Sequence, residues 1–182
     1  SKDRRRRNGG VDPLAYPASA SATVVGKSLC YVALYLPLAV YALHYIPLMF
    51  SFPHIGELHD YFLFILPLLV ATAFLGQAIQ GIVSERESSF VVVVFTSVVF
   101  LFLSGLTWPR YAMNSAWIWL GNLIPATWGV EGFININNNG SPLALQSEPY
   151  LWLWGLAAVY FLCAVWATRC ARRWKCHPIP EV

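Results

Sequence analysis

Four long runs of apolar residues dominate the chain: residues 29–50, 61–83, 90–108 and 151–168. None of them contains Asp, Glu, Lys or Arg. About 20 predominantly apolar residues are needed for a helix to cross the hydrocarbon core of a bilayer. The pattern therefore predicts an all-α membrane protein with four transmembrane helices. The first run carries Pro37 and Pro47, and proline bends a helix because it removes a backbone donor. Membrane helices tolerate this when neighbours satisfy the freed carbonyl. Residues 1–28 are polar, glycine- and proline-marked and then rich in small side chains, which predicts an interfacial segment rather than a folded core.

The second run turns polar and small towards its end, at Gly76, Gln77, Ala78, Gln80 and Gly81. Gln77 and Gln80 are three apart and share a helix face. That face either lines a polar path or joins helices, since small residues allow close approach and amides hydrogen-bond across the contact. Ser104 and Trp108, at the end of the third run, stand under the same two readings. The six residues 84–89 between the second and third runs predict antiparallel neighbours.

Residues 115–136 are apolar enough to suggest a fifth crossing. They also contain Gly121, Asn122, Pro125, Thr127, Gly129, Glu131 and Gly132, which would leave backbone and a carboxyl poorly satisfied in lipid. Two short helices broken near Pro125, dipping into the membrane and returning to the same side, are expected instead. A turn then follows over residues 137–141.

Charge fixes the orientation. With four crossings and an inside start, Lys2, Arg4–Arg7, Lys27, Arg86, Arg169, Arg172, Arg173 and Lys175 lie inside, and Arg110 alone lies outside. Basic residues are retained on the cytoplasmic face, so both ends of the chain are expected in the cytoplasm. A fifth crossing would turn this 11:1 division of the twelve basic residues into 7:5. At 57% hydrophobic and 12% charged the chain is far more apolar than a soluble domain. Its net charge of +3 is read as lipid-headgroup contact rather than nucleic-acid binding. The chain starts at Ser1 with no signal-peptide pattern, which points to a piece of a longer protein.

Candidate chemistry is sparse. Residues 21–28 differ from a phosphate-binding loop by one residue, Ser21 in place of glycine, but no strand precedes them and a membrane helix follows. Lys27 is better read as a snorkelling anchor. Cys170, Cys176 and His177 match no standard zinc spacing, so no metal site is expected. The loop residues His54, Glu57, His59 and Asp60 are read as solvated. A membrane-embedded protease or acyltransferase would need a nucleophile with a base in reach. His44 is the only histidine inside a run, and no Gly-x-Ser-x-Gly stretch occurs.

Three stretches resemble the ABC-2 type permeases, the membrane subunits of bacterial ABC exporters. Pro17-Ala-Ser19 followed by Gly26-Lys27 is similar to the family's cytoplasmic connector. Ser104-Gly105 with Pro109 and Met113 is similar to its Ser-Gly … Pro … Met-Pro stretch, with Asn114 in place of the last proline. Pro125-Ala-Thr127 with Gly132-Phe133 and Gly140 is similar to the segment before the last helix. The resemblance implies the last four of six helices, a bacterial inner-membrane location and a dimer of permeases. It implies a separate ABC ATPase subunit that binds ATP and Mg, with no cofactor in this chain. It places ATPase coupling at Asp12, Pro17, Ser19 and Lys27, with Glu85 and Arg86 as a further contact. A non-transporting permease-like scaffold is the remaining alternative, and the substrate stays open.

Overall fold

The computed structural model describes residues 19–51, 58–82 and 86–175, and helices joined by turns make up those residues. Helix α1 spans Ala20–Met49 and includes a π-helical turn at Tyr41–Tyr45. The others are α2 (Leu58–Ile82), α3 (Arg86–Leu103), α4 (Ser115–Asn122), α5 (Pro125–Asn137) and α6 (Ser147–Lys175).

Helix α1 begins nine residues before the apolar run that predicted it. Ser19 caps it, its Oγ accepting the Ala22 N–H at 3.2 Å. Side-chain capping of an orphan amide is what Ser supplies at this position. Ala20, Val24 and Ser28 are buried, so residues 20–28 are part of a packed helix, where the sequence suggests no folded core. Pro37 lies inside the helix, and the hydrogen-bond ladder widens to the π form four residues later. Such single π turns absorb a slip in the ladder.

Among the described residues, three helices are long and apolar enough to cross a membrane: Ala20–Met49, His59–Gln80 and Leu143–Cys170. The expected third span is shorter. Helix α3 stops at Leu103 because the chain reverses through Ser104 and Gly105, the latter at φ +84°. Its apolar part is Phe90–Leu103, and those 14 residues rise about 21 Å. The hydrocarbon core is about 30 Å thick.

The bundle is built on α2, which packs against α6, α1 and α5. One core cluster joins Phe64 of α2, Trp128 and Ile136 of α5, and Leu153 and Leu156 of α6. A second joins Ala20 and Val24 of α1 to Ala164 and Val165 of α6, with Phe74 against them. Helix α3 has α4 as its packing partner. The short 84–89 connection predicts α2 and α3 as antiparallel neighbours; among the described residues the two do not pack along one another. A short loop limits the distance between helix ends, but side-chain packing decides which helices lie along one another.

Residues 115–136 form two short helices, neither long enough to cross. The break falls at Leu123-Ile124, with Pro125 in the first turn of α5, where its missing donor costs nothing. The Tyr160 hydroxyl of α6 donates to the Leu123 carbonyl, and Thr127 Oγ1 donates to the Gly121 carbonyl at 2.8 Å. The freed backbone groups of the break are thus satisfied within protein. Gly129 and Gly132 set the hairpin on α2: an added Cβ would meet Leu68 Cδ1 at 2.6 Å and Phe64 Cζ at 2.2 Å. After α5 the chain turns through Gly140, at φ +62°, and the Ser141 N–H bonds to the Asn135 carbonyl.

Candidate functional site

Helices α1 and α2 enclose a cleft of about 510 Å³ lined by Tyr31, Tyr35, Thr72, Gly76, Gln77 and Gln80 among others. Its volume lies within the range of ligand sites, which combine apolar walls with a few placed polar groups. The two glutamines have different surroundings. Gln77 is buried, and its Nε2 donates to Ser28 Oγ at 2.5 Å and to the Val24 carbonyl at 3.4 Å. It ties α2 to α1. Gln80, one turn on, is exposed at the rim of the cleft. Gly76 has open space where a Cβ would stand, so its smallness shapes the cleft and is not required by packing within the chain. Lys27 is exposed on α1 one turn before Tyr31.

The opposite end of the bundle is polar in a different way. Arg110 Nη1 donates to Glu131 Oε2 at 2.7 Å, and Nη2 donates to Asn122 Oδ1 at 2.6 Å. The guanidinium carbon lies 5.6 Å from the centre of the Trp128 ring. Trp128 Nε1 donates to the Asn122 carbonyl, and its ring stacks on Trp152 of α6 at 5.1 Å. Nearby, the Leu143 N–H donates to Asp60 Oδ2 at 3.0 Å, and Asn135 Nδ2 donates to Gln146 Oε1. Asp60 is therefore a structural acceptor rather than a solvated loop group, while His59 beside it is exposed.

Ser104 is buried at the end of α3 and donates to the Leu101 carbonyl. Trp108, over half exposed, lines an apolar groove of about 440 Å³ with Phe102 and Trp117. Thr127 is buried in the hairpin, and Glu131 stands at its surface beside Arg110. Asp12, Pro17 and Glu85 lie outside the described residues, as do His54, Glu57, Cys176 and His177. Arg86 is the first residue of α3. Residues 21–28 are helical throughout, so they offer no loop of backbone amides to a phosphate.

Sequence reasoning did not single out Ser28 as the partner of Gln77, nor Asn122, Trp128 and Trp152 as a cluster around Arg110. The one signal available was Arg110 itself, a basic residue alone on its side of the charge plot.

The model of the family described as ABC-2 family transporter protein matches residues 13–166. The chain belongs to this family. No curated protein and no solved structure gives a significant match. Family membership makes this a multi-pass membrane permease of the ABC transporter type, a transport subunit rather than an enzyme. Members of the ABC-2 family typically work with an ABC ATPase, and the matched region takes in α1 to α5 and α6 as far as Trp166.

Proposed function

We propose that this ABC-2 chain is the membrane-spanning subunit of an exporter in the bacterial inner membrane. It moves substrate out of the cytoplasm using ATP hydrolysed, with magnesium, by a separate ATPase. In this reading α3 is a fourth crossing, the short α4–α5 hairpin stays on the outer side, and both ends of the chain are cytoplasmic. Two copies, or two homologous permeases, pair in lipid. The observation that carries the reading is the family match over residues 13–166. The α1–α2 cleft supplies its path: intramembrane polar groups are costly in lipid and mark functional surfaces, and Gln80 is exposed in that cleft.

The experiment compares small molecules released and retained by cells carrying the permease, cells lacking it, and cells whose ATPase lacks its catalytic carboxylate. Export predicts a compound that moves from medium to cells in both deficient strains. Identical profiles in all three would sink the reading and favour the scaffold alternative. Orientation is tested with a lone cysteine at Asn138 or at position 176 in intact spheroplasts: an impermeant thiol reagent should label the first and spare the second.

Coupling to the ATPase is placed at residues 12–21, with Ser19 at the boundary of α1. Ser19→Asp keeps a capping oxygen, so helix stability should hold while co-purification of the ATPase and transport both fall. Unchanged recovery of the ATPase would remove Ser19 from the coupling surface.

A further inference from the structure

Among the described residues, helix α3 packs along α4 and not along the α1–α2–α6 bundle, and its C-terminal end is where it meets the α4–α5 hairpin. Two features meet there. The Leu103 carbonyl approaches Gly121 so closely that a Cβ on that glycine would stand 3.1 Å away. Gly105 then reverses the chain at φ +84° and brings Arg110 back, its Cγ 3.3 Å from where a Gly105 Cβ would be. From this position one guanidinium engages both arms of the hairpin, Asn122 at the end of α4 and Glu131 in α5, with Trp128 close by. A planar fork can hold two acceptors in fixed directions, which an ammonium cannot. The hairpin itself is seated on α2 through Gly129 and Gly132 and on α6 through the Trp128–Trp152 stack.

We infer that Arg110 is a positioning residue: it pins α3 to the hairpin, and this pin opens when α3 swings during the transport cycle. The second half rests on the function proposed above. A two-state element of this kind is what nucleotide binding in a partner must bias if it is to move the membrane helices.

The test uses the full permease with its ATPase in nanodiscs, free of native cysteines. Spin labels at Phe95→Cys on α3 and Val159→Cys on α6, both exposed positions, report the α3 angle. A second pair, Leu66→Cys on α2 and Val159→Cys, reports the bundle. Without nucleotide, the α3 distance should be single and narrow, should broaden and lengthen in Arg110→Ala, and should narrow again in Arg110→Glu/Glu131→Arg. The bundle distance should stay fixed in all three. An unchanged α3 distance in Arg110→Ala overturns the inference. So does a bundle distance that broadens with it, which would make Arg110 a general stabiliser, and so does a charge exchange that fails to restore the narrow distance. In the unsubstituted protein, trapping with ATP and vanadate should move the α3 distance by about one helical turn, ~5 Å. No movement overturns the opening of the pin. These distances need no exported compound, so they stand or fall separately from the release experiment.

Discussion

Helices α2 and α3 are both strongly apolar, yet one is the centre of the fold and the other lies at its margin. Helix α2 buries Tyr61, Phe64, Ile65, Ala71 and Gln77. Helix α3 leaves Phe90, Val93 and Phe95 at least 60% exposed. Apolarity does not separate them, because lipid solvates Leu as well as a neighbouring helix does. Packing in a membrane comes from close approach and from hydrogen bonds between helices. Helix α2 offers Ala71, which is fully buried, and Ala78, which packs against the Ala164–Val165 cluster of α6, and α6 brings Ala157, Ala164 and Ala167, all three buried. From Phe90 to Leu103, α3 has neither glycine nor alanine. Its valines and phenylalanines hold any neighbouring backbone away. Side-chain size decides which helices form the core of this chain.

The largest test of that comparison is at the tightest contact. Gly132→Val should clash with Phe64 and cost about 3 kcal/mol, the upper part of the usual range for overpacking. Thermal unfolding of the purified protein in detergent measures it. Phe64→Ala added to the same chain should recover part of the loss. If Gly132→Val unfolds at the parent temperature, small residues do not set the α2–α5 contact.

A middle-sized effect separates the two amides. Gln77→Leu should cost about 0.6–1.7 kcal/mol, from the average to the maximum measured for hydrogen bonds between membrane helices, because it removes the donor to Ser28. Gln80→Leu should leave the unfolding midpoint unchanged and lower export. Equal losses of stability would mean that both residues join helices and that the cleft is not the path.

The smallest effect belongs to α3. Val94→Ala and Phe95→Ala, both at exposed positions, should change stability by less than about 0.5 kcal/mol. Ala71→Val, on the fully buried face of α2, should cost more than either. A large loss from the α3 pair would show that this face is packed in the working assembly.

Much of the architecture was legible because hydropathy reports on length and charge, and both survive folding. The runs at 61–83 and 151–168 became α2 and α6, and the break before Pro125 fell where proline and glycine required it. The start of α1 was not legible. Alanine, serine and threonine score weakly as apolar, but Ala20 is buried on α6 all the same. The fates of Gln77 and Gln80 were not legible either, since three residues apart leaves them about 60° apart on the helix. Which of them meets Ser28 depends on where α1 lies. The Arg110–Glu131 pair joins residues 21 apart on different elements, and it forms because Gly105 reverses the chain. No periodic pattern encodes that reversal.

The Trp128–Trp152 stack also makes the protein its own optical reporter. The two indoles are nearly parallel, 6° apart in plane at 5.1 Å between centres, on separate elements that meet only when the hairpin is seated on α6. Rings at that distance couple their electronic transitions, so the docked hairpin should carry a near-ultraviolet circular dichroism signature. Six other tryptophans contribute to the same spectrum, but a Trp152→Phe difference spectrum isolates the pair. Loss of the difference signal on adding ATP and the ATPase would reveal hairpin undocking in an unlabelled protein, whatever compound the permease moves.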